Sequence, residues 1–228
     1  VLVAGRCVVT GLPKDTKMLE PDVTLTELFL GFQCSAFAVV LLRGSGINPV
    51  ETRLFAALFD SLAVSSLFGG LWHGAFSKAD TVTGDAIWSI AMAALAGSAA
   101  LLWLISGRLI RRPVWALLAS WVAVIQFIFQ VFVSVCVADS FLVPAVGLLP
   151  PMAATVVGYI IRAQSGHVIH GIYGAAGVTL AAVAGLVIVF DLSLHPRWAT
   201  TLAVYHAVQF VAFGLVFLSV PAVLAEKR

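Results

Sequence analysis

Six ionisable side chains lie inside or at the ends of long apolar runs: Glu27, Asp60, His73, Asp85, His170 and His206. A charge placed within a bilayer costs about 2.5–3.5 kcal/mol on insertion scales, so each is a functional candidate by default. Two imidazoles with one or two carboxylates make a donor set suited to zinc. Zinc held in that way lowers the pKa of a bound water to about 7, which supplies hydroxide for hydrolysis. His73, His206 and Glu27 are the candidate metal ligands, and Asp85 and Glu27 the candidate catalytic carboxylates. Gln209 follows His206 by three residues and shares its helical face. Tyr205 and Gln130 are the other expected supporting residues, Gln130 together with Gln126 one helical turn before it.

Each of these residues also has a purely structural reading. His73 beside Trp72 suits an interface with water or lipid headgroups. Asp60, next to Ser61, is expected to pair with Arg53 or to bond across helices. His167 and His170 form an H-x-x-H without a neighbouring carboxylate and read as interfacial, and His195 before Pro196 reads as a loop histidine.

The elements that must position these groups are membrane helices. The 228 residues are 61% hydrophobic and only 11% charged, with a mean hydropathy of +1.05. That is too little charge for a water-facing surface and too much apolar mass for disorder. It excludes a soluble enzyme, a disordered chain and a disulfide scaffold. The basic residues are spread along the chain, which gives no nucleic-acid footprint. Cys7, Cys34 and Cys136 are isolated, and the latter two read as small hydrophobes.

A span needs about 20 apolar residues. Seven segments qualify, at 23–42, 53–76, 86–106, 114–136, 142–161, 168–190 and 199–222. Short polar breaks such as Arg43 to Pro49, Arg108 to Pro113 and Asp191 to Arg197 separate them, so successive helices are expected as antiparallel neighbours. The expectation is an all-α, polytopic, seven-helix bundle over residues 23–228. A polar segment, residues 1–22, precedes it, with Met18 as an alternative start. Eight of the 13 Lys and Arg residues fall on one side, which the positive-inside rule makes cytoplasmic. The N-terminus is then outside and the C-terminus inside. Trp72, Trp88 and Trp198 mark the outer interface, and Trp115 the inner one.

This topology puts Glu27, His73, Asp85 and His206 at similar depth in the outer half, with His206 about 10 Å into its helix at 1.5 Å per residue. Gly171, Gly174 and Gly177 read as a close-packing stripe. Pro144, Pro150 and Pro151 are expected to kink the fifth helix, which neighbours must compensate by satisfying the freed carbonyls. A kink of that kind also opens a cavity.

Three stretches carry a family resemblance: Gly69-Gly70-Leu71-Trp72-His73-Gly74, Tyr205-His206-Ala207-Val208-Gln209, and the opening Glu20-Pro21-Asp22-Val23-Thr24-Leu25-Thr26-Glu27. They resemble an uncharacterised family of bacterial seven-helix proteins similar to the alkaline ceramidase and adiponectin-receptor superfamily of intramembrane hydrolases. The resemblance runs from Glu20 to about Leu218. It implies a bacterial cytoplasmic-membrane protein with a lipid amide or ester as substrate. It also implies a zinc site in which His73 matches the first histidine, Asp85 the aspartate and His206 one member of a final histidine pair. The chain departs from the pattern in three places. Gly69 stands where that superfamily has a serine, four residues before the first histidine. Leu202 and Phe210 flank His206 where a second histidine is expected. Thr200 to Val204 replaces an H-N-D run. With a ligand missing, Glu27 is the candidate stand-in. Two other readings stay open: a non-catalytic scaffold or small-molecule permease subunit, and a protein in which His206 ligates haem or a chlorophyll-type pigment. Membrane lipids are the expected partners.

Overall fold

The computed structural model describes residues 19–44, 49–77, 81–137 and 141–220. The chain up to Met18, with Cys7 and most of the polar N-terminal segment, lies outside the described residues, as do Lys78, Lys227 and Arg228. Seven helices follow in order: α1 (Pro21–Arg43), α2 (Pro49–Ala75), α3 (Val82–Ile110), α4 (Pro113–Cys136), α5 (Leu142–Gln164), α6 (Val168–Val189) and α7 (Thr201–Leu218). All seven are long and apolar enough to cross a membrane, so the chain is an all-α membrane protein by the length and composition of its helices.

Local chemistry explains where the helices begin and end. Prolines open α1, α2 and α4, where a missing N–H is harmless and φ is already helical. The Thr81 hydroxyl caps α3 by accepting from the Gly84 N–H at 3.1 Å. At the other end of α3, Arg111 takes the left-handed conformation, with φ of 55°, and turns the chain directly into α4.

Helices α1, α2 and α3 pack in chain order, as do α5, α6 and α7, and α1 closes against α7. Helix α4 departs from the expected succession of neighbours. It packs on α3 and only grazes α5, which lies against α3 instead. Helix α4 has one narrow small-residue stripe, Ala119 and Ala123, seated near Trp103. Elsewhere it is apolar and exposed at Leu117, Trp121, Ile125 and Ile128, a surface suited to lipid.

The alternation of directions gives the bundle two ends. One end, the histidine end, holds the start of α1, the α2–α3 turn and the α6–α7 connection, with Leu19 N–H donating to the Gly74 carbonyl at 3.2 Å. The opposite end, the arginine end, holds Glu51 of α2, Arg108 to Arg112 at the α3–α4 corner, and Arg162 of α5. The core between them is built on fully buried Cys34, Phe55, Phe59, Ile105 and Tyr159. Phe37 stacks on Phe217 with ring centroids 4.1 Å apart. Cys136, in contrast with Cys34, is exposed.

One proline of α5, Pro151, is compensated by a neighbouring helix. Pro151 has no N–H to offer the Gly147 carbonyl four residues earlier. Gln126 of α4 replaces it, donating Nε2 to that carbonyl at 2.5 Å. Its own Oε1 accepts from Trp103 Nε1 at 2.7 Å, and Nε2 also reaches Gln130 Oε1 at 3.2 Å. A single pair of amides thus ties α3, α4 and α5 together at the break.

The glycine stripe of α6 packs as expected. A Cβ added at Gly171 would meet Ala163 at 2.5 Å, one at Gly174 would meet the Tyr159 ring at 2.1 Å, and one at Gly177 would meet the Ala212 carbonyl at 2.7 Å. Tyr159 cannot easily give way, because its hydroxyl lies 2.7 Å from Ser219 Oγ and its ring is wholly buried. Gly174→Ala is therefore expected to cost about 1–3 kcal/mol. Unfolding in detergent micelles measures it, and an unchanged midpoint would contradict this packing.

Candidate functional site

The opening of α1 builds the histidine end. At 100° per residue, Glu20, Thr24 and Glu27 fall on one face, and Asp22 and Thr26 on another. The first face meets α2. Glu20 Oε2 lies 2.6 Å from His73 Nδ1. Thr24 packs on Gly74, where a Cβ would come within 3.1 Å of its methyl group. The second face meets α7. The Asp22 carboxylate accepts from the backbone N–H and hydroxyl of Thr200 at 3.0 and 2.6 Å, securing the start of that helix. Thr26 Oγ1 lies 3.4 Å from His206 Nδ1.

Glu27 reaches both neighbours. Its Oε1 is 3.4 Å from His206 Nε2, in a pair whose side chains are only 12% and 9% exposed. It also lies over Gly69, where an added Cβ would meet Oε1 at 2.7 Å and Oε2 at 3.0 Å. Gly69 thus stands where the resemblance calls for serine because the Glu27 carboxylate fills that space. Any side chain there would displace the acid.

Hydrogen bookkeeping assigns the His206 tautomer. The Thr26 hydroxyl has one proton and donates it to the Asp22 carbonyl at 2.9 Å, or to that of Val23 at 3.0 Å. It accepts from His206, so Nδ1 carries hydrogen. Nε2 then faces Glu27 Oε1 at 3.4 Å. The second oxygen, Glu27 Oε2, is buried with no hydrogen-bond partner among the described residues.

Among the described residues no three His, Cys, Asp or Glu side chains are arranged to hold a metal ion. The donors form two pairs, Glu20 with His73 and Glu27 with His206. Asp85 is exposed in the first turn of α3, and its side chain joins neither pair. Gln130 is buried at the α4–α5 contact, with Nε2 3.4 Å from the Pro144 carbonyl, and serves the proline break instead of His206. Gln209 donates to Tyr205 Oη at 2.7 Å, so these two support each other.

The other polar candidates resolve into structural roles. His170 donates Nδ1–H to the Ser219 carbonyl at 3.0 Å and closes the end of α7. His195 Nδ1 accepts from the N–H groups of Arg197 and Trp198 at 3.1 and 3.2 Å, which orders the α6–α7 connection. Asp60 makes neither expected contact: it is exposed on α2 without an ion pair to Arg53, and Ser61 is the residue that bonds across, to the Ala94 carbonyl at 2.7 Å.

Glu20, Asp22 and Thr26 are site residues that residue type and depth alone do not single out. The signal that finds them is the spacing of polar residues over 20–27, which gives one polar face to each of two neighbouring helices.

Tyr205 and Gln209 also line a cavity of about 540 Å³ between α2, α3, α5, α6 and α7. Its walls are otherwise almost wholly apolar, with Phe59, Leu102, Met152, Val178 and Phe213 among them. Its origin is the divergence of α5 from α6. The two helices touch at Gly171 and Gly174, yet nothing lies within 4 Å of a Cβ built on Gly185. At the wide end, Leu142, Val146, Leu186 and Val189 are both cavity wall and exposed surface, so the cavity opens sideways through the bundle. Tyr205, on the cavity wall, lies beside His206, with ring centroids 5.2 Å apart.

No curated protein and no solved structure matches the chain. Residues 23–225 match a family of unknown function, DUF6962, and with that span the chain belongs to this family.

Proposed function

We propose that this protein binds the acyl chain of a membrane lipid in the cavity between α5 and α6, with the lipid's polar end near Tyr205, Gln209 and the Glu27–His206 pair. The observation that carries this reading is an apolar cavity of about 540 Å³ that opens sideways in a membrane protein and has a small polar group on its wall. Gly185 supplies the test, because a side chain there meets open space. Gly185→Phe is expected to fold normally and to lose most of the lipid that co-purifies with the wild type, measured by mass spectrometry of extracts. Unchanged lipid content with a normal unfolding midpoint would overturn the proposal.

A second reading is hydrolysis of an amide or ester bond in that lipid. The buried Glu27–His206 pair, and a Glu27 Oε2 with no hydrogen-bond partner among the described residues, favour it. In such a reaction the pair would take a proton from water as its oxygen adds to the acyl carbon, then return a proton to the departing amine or alcohol. Zinc, which the family resemblance implies, finds no group of three His, Cys, Asp or Glu donors among the described residues. Elemental analysis of the purified protein tests that point directly. Ligation of haem or pigment draws no support from His206, whose two ring nitrogens face Thr26 and Glu27. Turnover of a fluorescent lipid amide or ester, lost in Glu27→Gln, would establish the hydrolase. Lipid binding without turnover would leave a binding or scaffold protein. The orientation expected from the charge count places the site in the outer half of a bacterial cytoplasmic membrane.

A further inference from the structure

At the opposite end of the bundle, a second cavity, of about 480 Å³, is lined by Arg108, Arg111 and Arg112 together with Val50, Glu51 and Ala116. Three guanidinium groups within five residues are brought to one corner by a specific backbone device. Helix α3 stops at Ile110, Arg111 adopts φ of 55°, and Pro113 starts α4 at once. Gly107 makes the corner tight, since a Cβ there would lie 3.3 Å from Ala116 Cα.

The charge at this corner is uncompensated. Glu51 is the acid in the lining, and it is engaged by Arg162. Among the described residues, no ion pair reaches Arg108, Arg111 or Arg112. The N-terminus of α4 adds the positive end of its helix dipole and backbone N–H groups. Below the cavity, α4 presents Val114, Leu117, Leu118 and Trp121 as exposed apolar surface. An anionic group seated among the arginines would therefore have hydrocarbon contact continuing directly from it along α4.

We infer that this corner is a binding site for a phosphate-bearing anion, and that its source is the headgroup of an anionic glycerophospholipid whose chains lie along α4. Arginine suits the role because its planar fork holds phosphate oxygens in pairs. Basic pockets between membrane helices take such headgroups, and each arginine near them is worth about five-fold in binding. This site is remote from the acyl-chain cavity and does not depend on it.

Native mass spectrometry after titration with phosphatidylglycerol or phosphatidylcholine tests the inference. The wild type is expected to retain phosphatidylglycerol preferentially. Arg108→Gln/Arg112→Gln is expected to weaken that binding by roughly 30-fold. Arg43→Gln/Arg53→Gln removes the same charge from exposed residues of the same end outside the cavity, and should leave it unchanged. Arg111→Gly separates binding from folding, because glycine accepts the left-handed backbone at this position. It should weaken binding about five-fold without lowering the unfolding midpoint. Equal losses in the two double variants would show a diffuse charge effect and overturn the site. Competition by millimolar inorganic phosphate to the same extent as by lipid would overturn the lipid source and assign the corner to a soluble phosphate.

Discussion

Replacing His206 with leucine while Glu27 remains is expected to destabilise the protein by about 1–3 kcal/mol, the usual cost of leaving a buried polar group without its partner. Glu27 would keep its buried carboxyl group with no partner among the described residues, since Oε2 already has none there. It has no room to move toward α2, where Gly69 is in contact with it. Glu27→Leu/His206→Leu removes both members and should recover most of the loss, because paired buried charges replaced by apolar groups of similar volume are often neutral. Chemical unfolding of the two variants in detergent, compared in a double-mutant cycle, gives the coupling. Equal destabilisation by the single and double variants would mean that the helices pack through their apolar contacts alone. A stable double variant that has lost lipid turnover would show that the pair serves function at little net cost to the fold.

The arginine end is expected to respond more strongly. Arg162 is only 7% exposed and is bonded through Nη1 to Glu51, itself 11% exposed, while its Nε is buried without a partner. The pair links α5 to α2, two helices that otherwise scarcely meet, since α3 lies between them in the packing order. Arg162→Met should cost about 3–5 kcal/mol by leaving Glu51 buried and unpaired. It should also loosen the arginine corner, because a freed Glu51 carboxylate would face Arg108, Arg111 and Arg112 across the same cavity. The expected result is therefore a lowered unfolding midpoint together with weakened phosphatidylglycerol binding. Glu51→Gln in the Arg162→Met background should restore lipid binding ahead of stability. Restoration of neither would place Arg162 in a role unrelated to Glu51.

How much of this is legible in the residues depends on which coordinate is asked for. Depth along a helix follows from counting. Glu27, His73 and His206 all lie at the histidine end, as their positions in the chain imply. Rotation about the helix axis does not follow from counting. Asp85 shares the depth of the others and faces away from them. Gln130 is spent across the α4–α5 contact, on the Pro144 carbonyl and the amide of Gln126. Glu20, Asp22 and Thr26 look like ordinary polar residues at the start of a helix, and their partners, His73, Thr200 and His206, are 53, 178 and 180 residues away.

The sequence by itself determined seven membrane-crossing helices, their ends and their alternating directions, because those depend on local apolar length, proline and polar breaks. It also determined that Gly171, Gly174 and Gly177 would be contact points and that the prolines of α5 would need help from a neighbour. The packing of the helices against one another set α4 aside on α3, brought Glu20 to His73 and Glu27 to His206, and parted α5 from α6 to leave a cavity. The physical reason is that helix formation is satisfied within each segment. The azimuth, crossing and spacing of each helix are set by which side chains on the others leave it room.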